Sequence, residues 1–328
     1  MFKPEKNTCL ILIFSLIFWS STAFPATTLL SSDQQSVSHP LVKSVEHFGQ
    51  LVSQRTNGEL LVVVKPDSML GGELDVLRKV QEGTQAMARV NLGSLGNQLP
   101  AAEIASLPYL FRSSEHMWRV MNGEFGQRMD AEMEKAGYIR LMYLESGSRD
   151  FYCKKPIRSQ SDLVGLKIRI LQSKVFEDLI TNLGAKPVSI PFNKVGEALR
   201  SGEVDCAEGG IVAFVMADHY KYANYLTQDE HLLMPEVLLM SKKIWDTLSP
   251  AQQKILKTAG VESAEYMTRI WKDQESNAIA TARKAGVTII PRNQISMTGI
   301  ESQAIKTYNK YIKNTNDLET VMKIVTSK

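Results

Sequence analysis

The chain reads as an α/β protein of about two domains, and three observations predict this. Strand-like and helix-like segments alternate along most of its length. Its 328 residues exceed the roughly 150 usual for one domain, and no low-complexity linker divides them. Late in the chain one helical period runs for about 36 residues, which at about 1.5 Å per residue spans about 50 Å and outreaches a single small domain. So long a helix, with no linker, implies that the chain crosses between its domains more than once. The composition, 44% hydrophobic and 22% charged, belongs to an ordinary folded protein and sets disordered and fibrous classes aside. With 38 Lys+Arg against 35 Asp+Glu and no basic block, the charge is too balanced for a nucleic-acid partner.

Residues 1–23 have the form of a secretory signal peptide. Lys3 and Lys6 precede the apolar run CLILIFSLIF (Cys9 to Phe18), and Ser21 and Ala23 make an S-x-A cleavage site. The run is shorter than the roughly 20 residues of a spanning helix, which disfavours the competing reading of an uncleaved anchor. Cys9 stands at the start of the apolar run and not after it, so it is not placed for lipidation. Cleavage removes two Lys and one Glu, leaving 36 basic against 34 acidic residues and a net charge of +2 on a chain that starts at Phe24.

Thr27 to Ser31 is a short β-prone run. Leu41, Val45, Phe48 and Val52 then share one helical face, which stops at Asn57-Gly58. Leu60 to Val64 is apolar at every position, as for a strand covered on both faces. A helix follows with Leu74, Leu77 and Val80 on one side, closed by Gly83. Further strands are expected at Ala86 to Asn91, Tyr138 to Leu144, Leu166 to Ile170, Pro187 to Ile190 and Val237 to Ser241. Helices are expected at Glu115 to Lys135, Ser173 to Leu183 and Asn193 to Arg200. Ser249-Pro250-Ala251-Gln252 opens the long helix with a capping box and Pro at its first position. A strand at Val287 to Ile290 and two amphipathic helices end the chain, one facing Ile305, Tyr308 and Ile312 inward, the other Leu318, Val321 and Val325.

Two cysteines, Cys153 and Cys206, remain after cleavage. An oxidising compartment permits a disulfide, but two buried thiols behave as small hydrophobes without one, and free thiols are the expected state. His39, His47, His116, His219 and His231 show no metal-ligand spacing, so neither a metal nor another cofactor is expected. No G-x-S-x-G, Walker or G-x-G-x-x-G motif occurs, and Gly93 to Gly96 reads as a turn. The expectation is a protein that performs no chemistry.

Residues 147–208 carry a family resemblance. The stretches GSRDFYCKKPIRSQSDLVGLKIRI (Gly147 to Ile170), GAKPVSIPFNKV (Gly184 to Val195) and ALRSGEVDCAE (Ala198 to Glu208) are similar to the extracytoplasmic solute-binding subunits of TRAP transporters, the DctP family. His39-Pro40, TNGEL (Thr56 to Leu60), LGGELDVLRKVQEG (Leu70 to Gly83), LPYLFRSSEHMWRV (Leu107 to Val120) and KYANYLT (Lys221 to Thr227) extend the likeness over the mature chain in the same order. The resemblance implies a two-lobed periplasmic binding protein fold with hinge-crossing strands and the long helix spanning both lobes. Lobe 1 is expected over 24–146 plus about 235–274, and lobe 2 over 147–234 plus about 275–328.

In that family a ligand-holding Arg lies in G-L-K-x-R, which here places Arg169, with a fork of donors suited to one carboxylate. A second family Arg twenty residues earlier corresponds to Arg149. By spacing, Asn91 stands where sialic-acid binders carry Glu, and Gly209-Gly210 replaces the common Asn-Pro after Glu208; Leu171 replaces a usual Pro. Phe192 and Tyr220 are the aromatic candidates for a pocket wall. The resemblance thus implies a monomeric periplasmic protein that binds a small organic acid anion. It would hand the ligand to small and large TRAP membrane subunits for uptake driven by an ion gradient. The competing readings are a ligand-sensing subunit of a membrane receptor and, behind it, a secreted enzyme with Glu208 or Glu145 as general base.

Overall fold

A computed structural model describes residues 26–327; the expected signal peptide and its cleavage site lie outside the described residues. The chain begins with β1 (Thr27–Ser32) and α1 (Pro40–Arg55), whose N-cap is His39 and whose face of Leu41, Val45, Phe48 and Val52 is wholly buried. β2 (Leu60–Lys65) pairs with β1 alone and forms a sheet edge. Covering on both faces, expected from its apolar run, does not occur: Leu61 and Val63 stay 37% and 36% exposed. α1 covers only the other face, approaching so closely that a Cβ on Gly49 would stand 3.0 Å from Val62 Cβ.

α2 (Glu73–Glu82) ends at Gly83 in the left-handed conformation and leads into β3 (Met87–Asn91). α3 (Pro100–Ala105) follows. One helix is expected over 115–135, but the chain makes two, α4 (Ser114–Met121) and α5 (Glu124–Lys135). The corner between them is tight, because a Cβ on Gly126 would lie 1.8 Å from the Met121 carbonyl oxygen. β4 (Tyr138–Leu144) completes this lobe's first run, and β5 (Ser148–Cys153) opens the second lobe after three residues.

That lobe continues through β6 (Lys167–Ile170), α6 (Lys174–Asn182), β7 (Lys186–Ser189), α7 (Val195–Ser201), β8 (Cys206–Gly209), α8 (Ile211–Met216) and β9 (Tyr225–Leu233). β10 (Glu236–Ser241) and α9 (Lys242–Trp245) return to the first lobe. α10 (Pro250–Lys284) is the expected long helix, with the Ser249/Gln252 capping box formed. It packs on α1 and β4 of one lobe and on α8 of the other. Gly260 permits the first contact, since a Cβ there would sit 2.3 Å from Leu141 O. β11 (Thr288–Ile290), α11 (Met297–Ala304), α12 (Tyr308–Tyr311) and α13 (Thr315–Thr326) complete the chain.

Two sheets result, in orders β2-β1-β3-β10-β4 and β11-β9-β5-β8-β6-β7. They make a two-lobed α/β protein in which β4–β5, β9–β10 and α10 cross between lobes. Three strands went unread in the sequence, β5, β8 and β9. Each carries buried polar groups, Asp150, Glu208, Asp229 and His231 among them, which hide the apolar period of a covered strand.

The last helix departs from expectation twice. Val321 and Ile324 are buried while Leu318 and Val325 turn outward, and Ile305 is also exposed. Nor does α13 stay with lobe 2. Arg128 Nη1 donates to Thr320 Oγ1 at 3.0 Å, and Arg112 and His116 supply donors to the Ser327 and Ile324 carbonyls at 2.6 and 2.8 Å. The open carbonyls at a helix C-terminus need donors, and lobe 1 holds them. Cys153 and Cys206 lie directly opposite on antiparallel β5 and β8 and are joined as a disulfide, against the expectation of free thiols.

Candidate functional site

β6 is a parallel strand between β7 and β8, and its carboxyl end opens into the interlobe cleft, where open α/β sheets place ligands. Arg169 stands there, 4% exposed. Its Nε donates to Ile190 O at 2.8 Å, and among the described residues nothing accepts from its two Nη atoms. The Phe192 ring lies beneath the guanidinium, 6.0 Å from centroid to Cζ. Burial lowers the Arg169 pKa, with the charge of Arg149 adding to the effect, yet a guanidinium keeps its charge at neutral pH. Tyr152 Oη and His219 Nδ1 are 3.1 Å apart behind it; burial, then Arg169, pulls His219 down to about 3, so its ring is neutral.

Arg149 and Glu208 face each other across β5 and β8. Arg149 Nε donates to Glu208 Oε2 at 2.5 Å and Nη2 to the Glu208 carbonyl at 3.2 Å. Burial pushes the Glu208 carboxyl up, but Arg149 and His231 outweigh it and hold the group down at about 2. Each of the two charges therefore keeps the other inside the protein.

The first-lobe wall is more acidic. Arg89, 1% exposed in the middle of β3, gives Nε and Nη2 to Asp33 and Nη1 to Glu236 Oε2 at 2.7 Å. Asn91 Nδ2 donates to Glu236 Oε1 at 3.1 Å, and Asn91 Oδ1 accepts from Gly93 N at 3.0 Å, starting a short 3-10 turn over Leu92–Leu95. Glu73 accepts from Asn91 N at 2.9 Å and meets the Ser94 hydroxyl at 2.5 Å. Burial, then the charge of Glu236, raises the Glu73 carboxyl above the usual range. His39 Nδ1 accepts from Leu41 N, its Nε2 has no partner, and burial, then Arg89, lowers the ring to about 3.

These walls line a cleft between the lobes whose enclosed cavity is small, about 60 Å³. Of the residues singled out from sequence, Arg169, Arg149, Asn91, Glu208, Gly209 and Phe192 line it. Tyr220 does not; its ring packs edge-on against Phe214 at 6.3 Å. Asn91 reaches the cavity with much of its amide already committed. The paired glycines differ in reason: a Cβ on Gly210 would lie 2.7 Å from Ser146 O, whereas Gly209 meets nothing nearer than 3.7 Å. Sequence reading missed Arg89, Glu73, Glu236, His39 and Trp271, all on the lining. A signal existed for two of them: Arg89 interrupts the run MARV and Glu236 precedes VLLM, and a charge in an apolar strand must find a partner. Among the described residues no group of three or more His, Cys, Asp or Glu could hold a metal ion, and no helix is long and apolar enough to cross a membrane.

Two lobes with a buried, cation-bearing cavity between them define a solute-binding protein of the periplasmic type. Residues 31–314 match the family described as bacterial extracellular solute-binding protein, family 7 (DctP), and the chain belongs to that family. A TRAP periplasmic solute-binding protein from a Bradyrhizobium species, solved with α/β-D-galacturonate, is 33% identical with a TM-score of 0.88, covering 92% of this chain and 100% of that one. A similar protein from Roseobacter denitrificans, solved with β-D-glucuronate, is 28% identical with the same score and the same two coverages. The C4-dicarboxylate-binding periplasmic protein DctP of Rhodobacter capsulatus is 30% identical over 252 residues, 76% of this chain and 75% of that one.

Proposed function

We propose that the protein captures a small sugar acid outside the cytoplasm, after removal of residues 1–23, and delivers it to TRAP membrane subunits. One observation carries this reading: Arg169 is buried at the cavity with both Nη atoms uncommitted. A buried guanidinium without an acid is costly, and a ligand carboxylate bound through two parallel N–H donors removes that cost. The galacturonate and glucuronate in the similar structures support a hexuronate or a shorter sugar acid. Arg149 and Glu208 shape the wall as a mutually neutralised pair, Phe192 lies beneath the bound carboxylate, and Gly209 leaves room beside it. The backbone segments 145–147 and 234–235 are the hinge, with lobe 1 over 26–144 and 236–245 and lobe 2 over 148–233.

Catalysis by either candidate base is poorly supported. Glu208, held near 2 by Arg149, is a weak proton acceptor at neutral pH. Glu145 is bound by Ser114 and Trp118 away from the cavity. Native mass spectrometry of the freshly purified mature protein, followed by calorimetric titration with D-galacturonate and D-glucuronate, tests the function. One site per chain is expected; absence of any binding by both acids at about 1 mM, equivalent to about 4 kcal/mol of affinity, would refute it.

A further inference from the structure

Three guanidiniums line the cavity, and two are already spent on acids of the protein itself. Arg89 gives Nε and Nη2 to Asp33 and Nη1 to Glu236. Arg149 gives Nε to the Glu208 carboxylate and Nη2 to the Glu208 carbonyl oxygen at 3.2 Å, which leaves it Nη1 alone. Only Arg169, among the described lining residues, keeps both Nη atoms for a ligand. The first-lobe wall opposes it with an excess of acid: Glu73 and Glu236 line the cavity, Asp33 stands behind Arg89, and one guanidinium answers all three. That wall is net negative whether or not Glu73 holds a proton. The neutral donor there is His39: its Nδ1 accepts from Leu41 N, which puts the ring proton on the unpartnered Nε2.

We infer that the site is built for a monocarboxylate and rejects the dicarboxylate of the same carbon skeleton. The inference rests on the acid-binding reading above and adds which acids are refused. A single carboxylate meets Arg169, while the far end of the ligand is uncharged and carries hydroxyls. Those hydroxyls donate to Glu73 and Glu236 and accept from His39 Nε2–H. A second carboxylate at that end would find no free guanidinium and would face carboxylates instead, and like charges brought together across a binding surface suppress the wrong partner. The family relative that binds C4-dicarboxylates is therefore no guide to this chain's ligand.

The test titrates the intact mature protein, dialysed free of bound acid, with matched pairs: D-galacturonate against galactarate, D-erythronate against tartrate, and butyrate against succinate. In every pair that shows binding, the monoacid should bind at least about 30-fold tighter, a difference of about 2 kcal/mol. A smaller ratio, or a diacid that binds better, overturns the inference. Binding confined to butyrate over succinate would sink the sugar-acid reading and the hydroxyl contacts to Glu73 and Glu236, while supporting the refusal of a second carboxylate. Equal binding of galacturonate and galactarate would leave that reading standing and remove this one. Failure of all six acids to bind would end both.

Discussion

Removing the Arg169 guanidinium should abolish most ligand affinity while leaving the empty protein as stable as before, or more so. In the unliganded state Arg169 makes one hydrogen bond, Nε to Ile190 O at 2.8 Å, worth about 0.5–1.5 kcal/mol net. Against that stands a buried cation with no carboxylate within reach of its Nη atoms, whose desolvation amounts to several kcal/mol. The second effect is the larger, so Arg169→Leu should unfold at or above the parent's temperature. Ligand binding reverses the sign. Truncating one member of a buried, hydrogen-bonded charge pair costs about 2–5 kcal/mol, which at about 1.4 kcal/mol per decade is a loss of about 30-fold to a few thousand-fold. Arg169→Ala should fall in that range, and Arg169→Lys should recover little of it, because the ammonium lacks the planar fork. Calorimetric titration with the bound acid, paired with thermal unfolding of the unliganded variants, reads both effects. Affinity of Arg169→Ala within about threefold of the parent, or about 0.7 kcal/mol, would refute the ion-pair assignment.

Arg149→Ala should behave in the opposite way, destabilising the unliganded protein by up to about 3–5 kcal/mol, because Glu208 loses its hydrogen-bonded cation and keeps only His231, 3.8 Å away; urea unfolding checks it, and a change under about 1 kcal/mol would count against the pairing. Glu208 has its pKa lowered in the fold from 4.5 to about 2, so its contribution to stability is full above about pH 4.5 and is lost as pH falls through about 2. Glu208→Gln should flatten that part of the acid limb. Thiol titration of the denatured, unreduced mature protein should find neither Cys153 nor Cys206 reactive, and reduction should cost about 4 kcal/mol for a bridge spanning 53 residues. Gly210→Ala should lower both stability and affinity by forcing the chain away from Ser146 O, whereas Gly209→Ala, with its nearest contact at 3.7 Å, should fold normally. Small-angle scattering should show a smaller radius of gyration at ligand saturation, since Arg169 and Glu73 sit on separate lobes; an unchanged profile would argue against closure.

Much of the architecture was legible in the residues read in order. The face of α1, the Gly83 cap, the Ser249 capping box and the length of α10 all depend on neighbours within a few positions, so local periodicity and cap chemistry reveal them. Arg169 was legible through its motif. The rest needed chain segments distant in sequence to meet. β2 could not be recognised as an edge strand, because an apolar run carries no record of whether another strand or helix will cover its second face. β5, β8 and β9 were hidden because Asp150, Glu208, Asp229 and His231 are buried in them and find their partners on neighbouring strands, as Glu208 does in Arg149 and Asp229 in Phe151 N, and a polar residue shows in sequence without its partner. The pairing of Cys153 with Cys206 was settled by the register of two antiparallel strands, over fifty residues apart. Above all, the sequence does not show which of the three cavity arginines is paired with an acid of the protein. Only the folded chain brings Asp33 and Glu236 to Arg89 and Glu208 to Arg149, and so leaves Arg169 as the one that, among the described residues, has no carboxylate hydrogen-bonded to its guanidinium.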